Sequence, residues 1–213
     1  MTQIRKASRA DKDRVLQILT EAFWHDPHIN WFSGNGPHKA RRIRTMMSHV
    51  FEAALARGDV YISHDREAVA IWRNAKEKRF SLTSLWENLK FLYHFGLRKV
   101  NAISKLEKLL KARYPKHEAY YYLFVIGTSR QGRGKGLGSQ LMNQLLYEAD
   151  RKGITTYLET ANMDNLPIYQ KKGFQQYDTI AVSGQPPLKL YLLKRKPVAL
   201  SEQNPEEVRL ATN

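Results

Sequence analysis

Residues 124–142 read FVIGTSRQGRGKGLGSQLM, with Gly132, Gly134, Gly136 and Gly138 spaced through a short turn that also carries Arg133 and Lys135. An apolar, strand-like run precedes the turn and a helix-like run follows it. That order makes an anion site, because glycines let unbonded amides converge and a helix N-terminus adds about half a positive charge. A phosphate is therefore the expected ligand, and spacing decides which one. A mononucleotide loop needs Gly, four residues and then Gly-Lys-Ser/Thr; counted from Gly127 the pattern reaches Gly132 and fails at Arg133. The dinucleotide pattern G-x-G-x-x-G fails too, with Leu137 where the third glycine belongs. What fits is Q-x-x-G-x-G, made by Gln131, Gly134 and Gly136.

Other reactive residue types are sparse. There is no cysteine, so disulfides, a thiol nucleophile and thiolate metal ligands are excluded. His25 and His28 stand three apart, but Pro27 between them spoils a shared helix face and no third ligand follows, so no metal is expected. Trp24, Trp31, Phe32 and Trp72 either stack an aromatic ligand or fill the core, and core packing is the default for such residues.

Several elements must position the turn. The 213 residues suit one domain. TQIR, residues 2–5, reads as a short first strand, and Ser8 and Asp11 start a helix over 11–24 that ends before Pro27. Ile43, Met46, Met47, Val50, Phe51 and Ala54 make the apolar stripe of a second helix that stops near Gly58. The runs VYIS and EAVAIW read as a hairpin. Helical periodicity returns over 81–113, broken at Gly96 and closed by Pro115, as a helical pair inserted between strands. After it come a buried strand at 120–127, a helix at 137–149 ended by Gly153, the strand ITTYLET, a short helix LPIYQKK capped by Asn165, and two last strands joined across SGQPP. The tail from 195 to 213 is polar and aperiodic, which predicts a flexible end.

Lys and Arg number 35 against 20 Asp and Glu, a net charge of +15. This favours anionic partners such as nucleic acid, an anionic membrane surface or a phosphorylated cofactor, and equally suits a solvated basic surface. The absence of an apolar signal core or of a run of about 18 apolar residues predicts a cytoplasmic protein with no membrane partner.

The glycine turn resembles the pyrophosphate loop of the GCN5-related N-acetyltransferase (GNAT) superfamily. LETANMDNLPIYQKKGFQ, at 158–175, resembles the superfamily's following unit, and AVAIW with the helical insertion is most similar to its puromycin N-acetyltransferase-like subgroup. The resemblance runs to about residue 194. It implies an α/β GNAT domain over 1–194: a mixed, mostly antiparallel sheet with a V-shaped splay between two parallel strands, and an insertion at 81–113.

It also implies acetyl-coenzyme A as co-substrate, with no metal. Cofactor contacts would come from Phe124, Val125 and Ile126 on the splayed strand, from Gln131, Gly132, Arg133, Gly134, Lys135, Gly136, Leu137 and Gly138 in the turn, and from Asn162, Asn165 and Tyr169 beyond it. Tyr169 matches the family's acid, which protonates the departing thiolate. A proton acceptor for the amine is not fixed by the resemblance; Glu159 is the first candidate, with Asp26 and His25 next. Two departures stand out. Thr128 replaces a frequent proline, and three tyrosines, 120–122, open the cofactor strand, which bears on the acceptor pocket.

The expected activity is acetyl transfer to a primary amine of a small molecule by direct attack in a ternary complex. The insertion would cover the site and so disfavour an open peptide groove. Two alternatives stay open: a protein or peptide N-acetyltransferase, and a non-catalytic, coenzyme-sensing module that binds nucleic acid. Monomer and homodimer are both compatible with the sequence.

Overall fold

The computed structural model describes residues 4–57, 59–74, 85–183 and 187–199, with the backbone alone for 85–95 and 98. The start of the expected insertion at 81–84, the middle of the SGQPP turn and the tail from residue 200 lie outside the described residues. Seven strands form one sheet in the order β1-β2-β3-β4-β5-β7-β6. They are β1 (Ile4–Lys6), β2 (Val60–Ser63), β3 (Ala68–Asn74), β4 (Tyr121–Thr128), β5 (Thr156–Thr160), β6 (Gln175–Val182) and β7 (Leu188–Arg195). Every neighbouring pair is antiparallel except β4 and β5.

Two irregularities in β4 open the sheet. The register with β3 matches Ile71 to Val125 and Trp72 to Leu123, so Phe124 is an extra residue, a β-bulge that re-aims the strand. On its other edge β4 pairs with β5 only at Tyr121↔Thr156 and Tyr122↔Tyr157. Beyond that point both strands continue, β4 to Thr128 and β5 to Thr160, without pairing to each other. The expected splay is present, and it begins at the bulge.

Helices cover both faces. α1 (Lys12–Ala22), α2 (Pro27–Ser33), α3 (Lys39–Leu55) and the end of α4 (Leu85–Lys111, broken at Gly96) bury one cluster, in which Ile18, Leu19, Ile43, Met47 and Phe51 are fully enclosed. α5 (Leu137–Arg151) and α6 (Leu166–Lys171) pack on the opposite face with Leu141, Leu145, Leu158 and Phe174. Each α3 and α5 stripe repeats at three and four residues, the spacing that sets apolar side chains on one helix face.

Helix ends are fixed by side chains. Asp11 accepts the Ser8 amide at 2.8 Å and a bidentate contact from Arg5 at 2.7 and 2.8 Å, which holds its carboxyl far below the ordinary carboxylate range. α5 is tied to the sheet by a buried pair, in which Arg195 donates to both Asp150 oxygens at 2.5 and 2.9 Å and its Nε donates to the Lys172 carbonyl. Asp150 also accepts the Val198 amide at 3.0 Å, so the chain just past β7 is pinned against α5. α2 is an element the sequence reading leaves as loop. Pro27 opens it at the first turn, and Asp26 caps it by accepting the Ile29 amide at 2.9 Å.

Candidate active site

The glycine turn sits between the end of β4 and the start of α5. Gly134 and Gly136 have φ of 75° and 72°, a left-handed conformation that costs other residues about 1–2 kcal/mol each. Gly136 is the residue before α5, and no side chain caps the helix there. The first amides of an α-helix have no partner within it, so those of Leu137, Gly138 and Ser139 point out of the α5 N-terminus. A Cβ added at Gly134 or Gly136 would meet nothing within 4 Å, so the turn faces open space. The donor set and the open approach fit a diphosphate. The Leu137 side chain is buried in the core, leaving its amide as the part available to a ligand.

Gly132 has a different role. A Cβ there would lie 2.9 Å from the Glu67 carbonyl oxygen, so only glycine lets the turn lie against the β2–β3 hairpin. Buried Ser129 completes that anchor: its hydroxyl donates to the Glu67 carboxylate and accepts the Gly132 amide at 3.0 Å, while Arg14 pairs with Glu67 at 2.5 Å. Glu21 of α1 accepts the Arg130 amide at 3.1 Å, and Arg133 reaches the Glu21 carbonyl at 3.4 Å. The Arg133 guanidinium thus has a structural partner. Gln131 and Lys135 are exposed.

This division predicts contrasting variants. The double change Gly134→Ala and Gly136→Ala clashes with nothing, and an exposed turn can relax away from the left-handed geometry. Coenzyme A affinity is expected to drop about tenfold or more by calorimetry, while the left-handed strain at the two positions lowers the melting temperature without unfolding the protein at 25 °C. Gly132→Ala lowers the melting temperature through its clash with the Glu67 carbonyl. Unchanged coenzyme affinity in the double variant would remove the turn from the binding site.

On the other side of the splay lies a cavity of about 280 Å³. Phe124, Val125 and Ile126 line it from β4, Glu159 from β5, and Asn165 and Tyr169 from beyond β5, so these six expected site residues converge. Asn162 is not among the lining residues; its side chain accepts the Asp164 amide at 3.0 Å and shapes the turn into α6. Asn165 precedes α6 but does not cap it by a side-chain bond, and its amide lies 3.5 Å from the Thr160 hydroxyl. Tyr169 is 8% exposed and packs edge-on against Phe174, with centroids 6.0 Å apart. Burial pushes its phenol up to about 12, reinforced by the negative charges of Asp26 and Glu159, so both carboxylates lie within electrostatic reach of this hydroxyl.

Glu159 is held by two tyrosines. Tyr114 donates to one carboxylate oxygen at 2.5 Å and Tyr122 to the other. Tyr114 ends the segment that follows α4 and is itself buried, stacked on Tyr120 at 5.7 Å and edge-on to Tyr122 and Tyr157. Burial and the adjacent Glu159 charge keep its phenol well above the ordinary tyrosine value, so it remains a donor. Two hydrogen bonds to one carboxylate fix its orientation. Tyrosines 120 and 122 do enter the pocket, whereas Tyr121 faces α5, as strand alternation requires. Nothing in the sequence marks Tyr114, which meets Glu159 across 45 residues.

Asp26 and His28 also line the cavity, whereas His25 is exposed and does not. Burial raises the Asp26 carboxyl, against the backbone amides that it accepts. His28 packs against Phe32 with the rings tilted, and burial lowers its imidazole to about 4, so it is neutral at pH 7. Of the tryptophans, Trp31 and Trp72 are core residues. Among the described residues no group of three or more His, Cys, Asp or Glu is placed to hold a metal ion, and no helix is long and apolar enough to cross a membrane.

Residues 101–174, which contain the splay, the glycine turn and α6, match the family model of the acetyltransferase (GNAT) family. An uncharacterized N-acetyltransferase of Schizosaccharomyces pombe is 25% identical over 187 residues, covering 83% of this chain and 75% of that protein. Among solved structures, a Corynebacterium glutamicum protein described as histone acetyltransferase HPA2 and related acetyltransferase superposes with a TM-score of 0.62 at 21% identity, over 94% of this chain and 99% of that one. Arylalkylamine N-acetyltransferase 2 of Aedes aegypti gives 0.63 at 15% identity, over 91% and 98%. The fold is the GNAT fold, and the family match over 101–174 together with the Schizosaccharomyces pombe relative supports the GNAT superfamily. The chain is in the class of acetyl-coenzyme A-dependent N-acetyltransferases. The puromycin N-acetyltransferase-like subgroup is a finer statement than these matches carry.

Proposed function

We propose that the protein transfers the acetyl group of acetyl-coenzyme A to a primary amine of a small molecule, by direct attack with both substrates bound. The observation that carries this reading is the convergence of a stretch of β4 that is unpaired on its β5 edge, the Tyr169 residue and the Glu159 carboxylate on one cavity, with a turn that fits a diphosphate at the far end of the same strand. The edge of β4 that faces away from β3 beyond Tyr122 offers hydrogen bonds to a pantetheine arm lying as a pseudo-strand, and an amide near Phe124 or Val125 polarises the acetyl carbonyl.

The amine lone pair attacks the thioester carbonyl carbon, the C–S bond breaks, and its electron pair leaves on sulfur. Glu159 takes the proton lost by nitrogen, and Tyr169 gives a proton to the thiolate. A phenol near 12 is a weak acid toward a thiolate of about 8.5. Part of that elevation comes from the charge on Glu159, however, and the charge disappears when Glu159 is protonated by the amine. Proton uptake at one residue therefore strengthens the acid at the other in the same step. An alkylammonium with pKa of about 10.4 is mostly charged at pH 7, which makes an oriented proton acceptor necessary.

The α4 segment supports a small acceptor rather than a peptide: Ile103, Leu106 and Leu110 wall the cavity, and Lys99 donates to the Trp31 carbonyl while lying 4.3 Å above the Trp31 ring, closing α4 onto α2. Incubation with acetyl-coenzyme A and an amine library, read by thiol release, tests the proposal. Turnover restricted to small amines supports it; rapid acetylation of peptide lysines or N-termini, with small amines inert, would transfer the activity to protein substrates.

A further inference from the structure

Of the described residues that line the cavity, His28 alone has a buried side-chain nitrogen or oxygen without a hydrogen-bond partner, its Nε2. Lining the same cavity from α2, α3 and α4 are the apolar Phe32, Met46, Met47, Val50 and Ile103, and the imidazole meets Phe32 with ring centroids 4.9 Å apart. A leucine of similar volume would fill that position and leave no unpaired atom. A buried polar atom without a partner is destabilising, and such atoms are rare in native proteins. Nε2 is shielded from water as the ring stands. A half-turn about the Cβ–Cγ bond exchanges it with Cε1 in the same envelope, so the nitrogen can be presented to a ligand in the cavity without repacking.

The state of the ring decides the chemistry of that ligand. Burial keeps the imidazole neutral at pH 7, and a neutral imidazole has one donor and one acceptor nitrogen. A hydroxyl both donates and accepts, so it satisfies Nε2 in either tautomer. An ammonium only donates, and the carboxyl groups of Glu159 and Asp26 in the same lining compete for it. We infer that His28 determines acceptor specificity: its Nε2 hydrogen-bonds a hydroxyl of the acceptor, and the preferred substrate is a primary amine that carries a hydroxyl on an otherwise apolar body. The inference rests on the acyl-transfer reading above and assigns the acceptor's second polar group. A hydroxyl that enters an apolar chamber loses its water, and a partner there must offset the loss.

The test uses the full chain, acetyl-coenzyme A, n-pentylamine and its hydroxylated forms with the hydroxyl on C2, C3, C4 or C5, read by thiol release. For each form the ratio of its kcat/KM to that of pentylamine is compared between the parent and His28→Leu. A hydroxyl near nitrogen alters the basicity of the amine, and that effect cancels in the comparison. At one or more positions the ratio is expected to be about tenfold higher in the parent. His28→Gln keeps a donor and an acceptor and should retain part of the preference. His28→Leu should melt no lower than the parent, because the atom it removes was unpaired. Coenzyme A affinity reports folding, and His28→Met takes its place if the leucine variant does not bind the coenzyme. A ratio that changes less than threefold at every position would overturn the inference while leaving acetyl transfer standing; a structural histidine gives that result together with a lower melting temperature. If no amine releases thiol although coenzyme A binds, the transfer reading fails. Calorimetry of the same amines on the coenzyme-loaded protein then judges His28: a hydroxyl preference at least threefold greater in the parent than in His28→Leu supports the inference, and equal or absent binding ends it.

Discussion

Tyr169→Phe is expected to lower kcat by about 10²-fold or more, with the dissociation constant of coenzyme A within about twofold of the parent. The substitution removes one oxygen and nothing else. The ring keeps its edge-on contact with Phe174, and α6 keeps the backbone bonds that close it, Lys172 and Phe174 donating to the Tyr169 carbonyl at 3.0 and 3.1 Å. A loss confined to kcat therefore assigns the hydroxyl to the transition state, where sulfur charge develops, and not to substrate binding or folding. The sign of the pH dependence comes from the elevated phenol. At about 12 it stays protonated throughout the range in which the protein is stable, so Tyr169 contributes no fall in rate between pH 6 and 9. Any limb in that range belongs to the amine or to its proton acceptor, and it should persist unchanged in Tyr169→Phe at the lower absolute rate. Measured at saturating acetyl-coenzyme A, a kcat equal to the parent's would strike Tyr169 from the chemistry.

Legibility in the sequence divided along the range of the interaction. Strands and helices whose signal is local were readable: the α3 and α5 stripes, the β2–β3 hairpin and the break at Gly96, where φ is 74°. The glycine turn was readable for the same reason, since anion binding there depends on consecutive residues. Pro27 was readable as a breaker but not as the first residue of α2, because the same proline serves both roles and only the Asp26 cap decides between them. Interactions across long separations left no local trace. Glu159 is identifiable as a carboxylate beside a strand end; that it is held by Tyr114 and Tyr122, 45 and 37 residues away, depends on how α4 returns to the sheet. The same limit hid His28, whose burial comes from the packing of α2, and the Ser129–Glu67–Arg14 anchor beneath the glycine turn.

Glu159→Gln is expected to have the second large effect, lowering kcat/KM for a primary amine by about 10²- to 10³-fold while coenzyme affinity is preserved. Glutamine keeps the shape and can still accept from one tyrosine, so the Tyr114, Tyr120 and Tyr157 cluster stays packed. What disappears is the negative charge that draws the ammonium and the site that takes its proton, so both KM and kcat should worsen. Glu159→Asp retains the charge but withdraws it by one methylene from the two tyrosine hydroxyls, and an intermediate rate is expected. Tyr114→Phe tests the orientation separately: the carboxylate remains, one of its donors is lost, and a decrease of about tenfold, mainly in kcat, is the expected result. Asp26 supplies the contrast that makes the assignment decidable. Asp26→Asn conserves a side-chain oxygen for the Ile29 amide and so keeps the α2 cap. If Asp26→Asn abolishes turnover while Glu159→Gln is nearly silent, the proton goes to the carboxyl that burial has already raised, and Glu159 is left as a part of the tyrosine cluster alone.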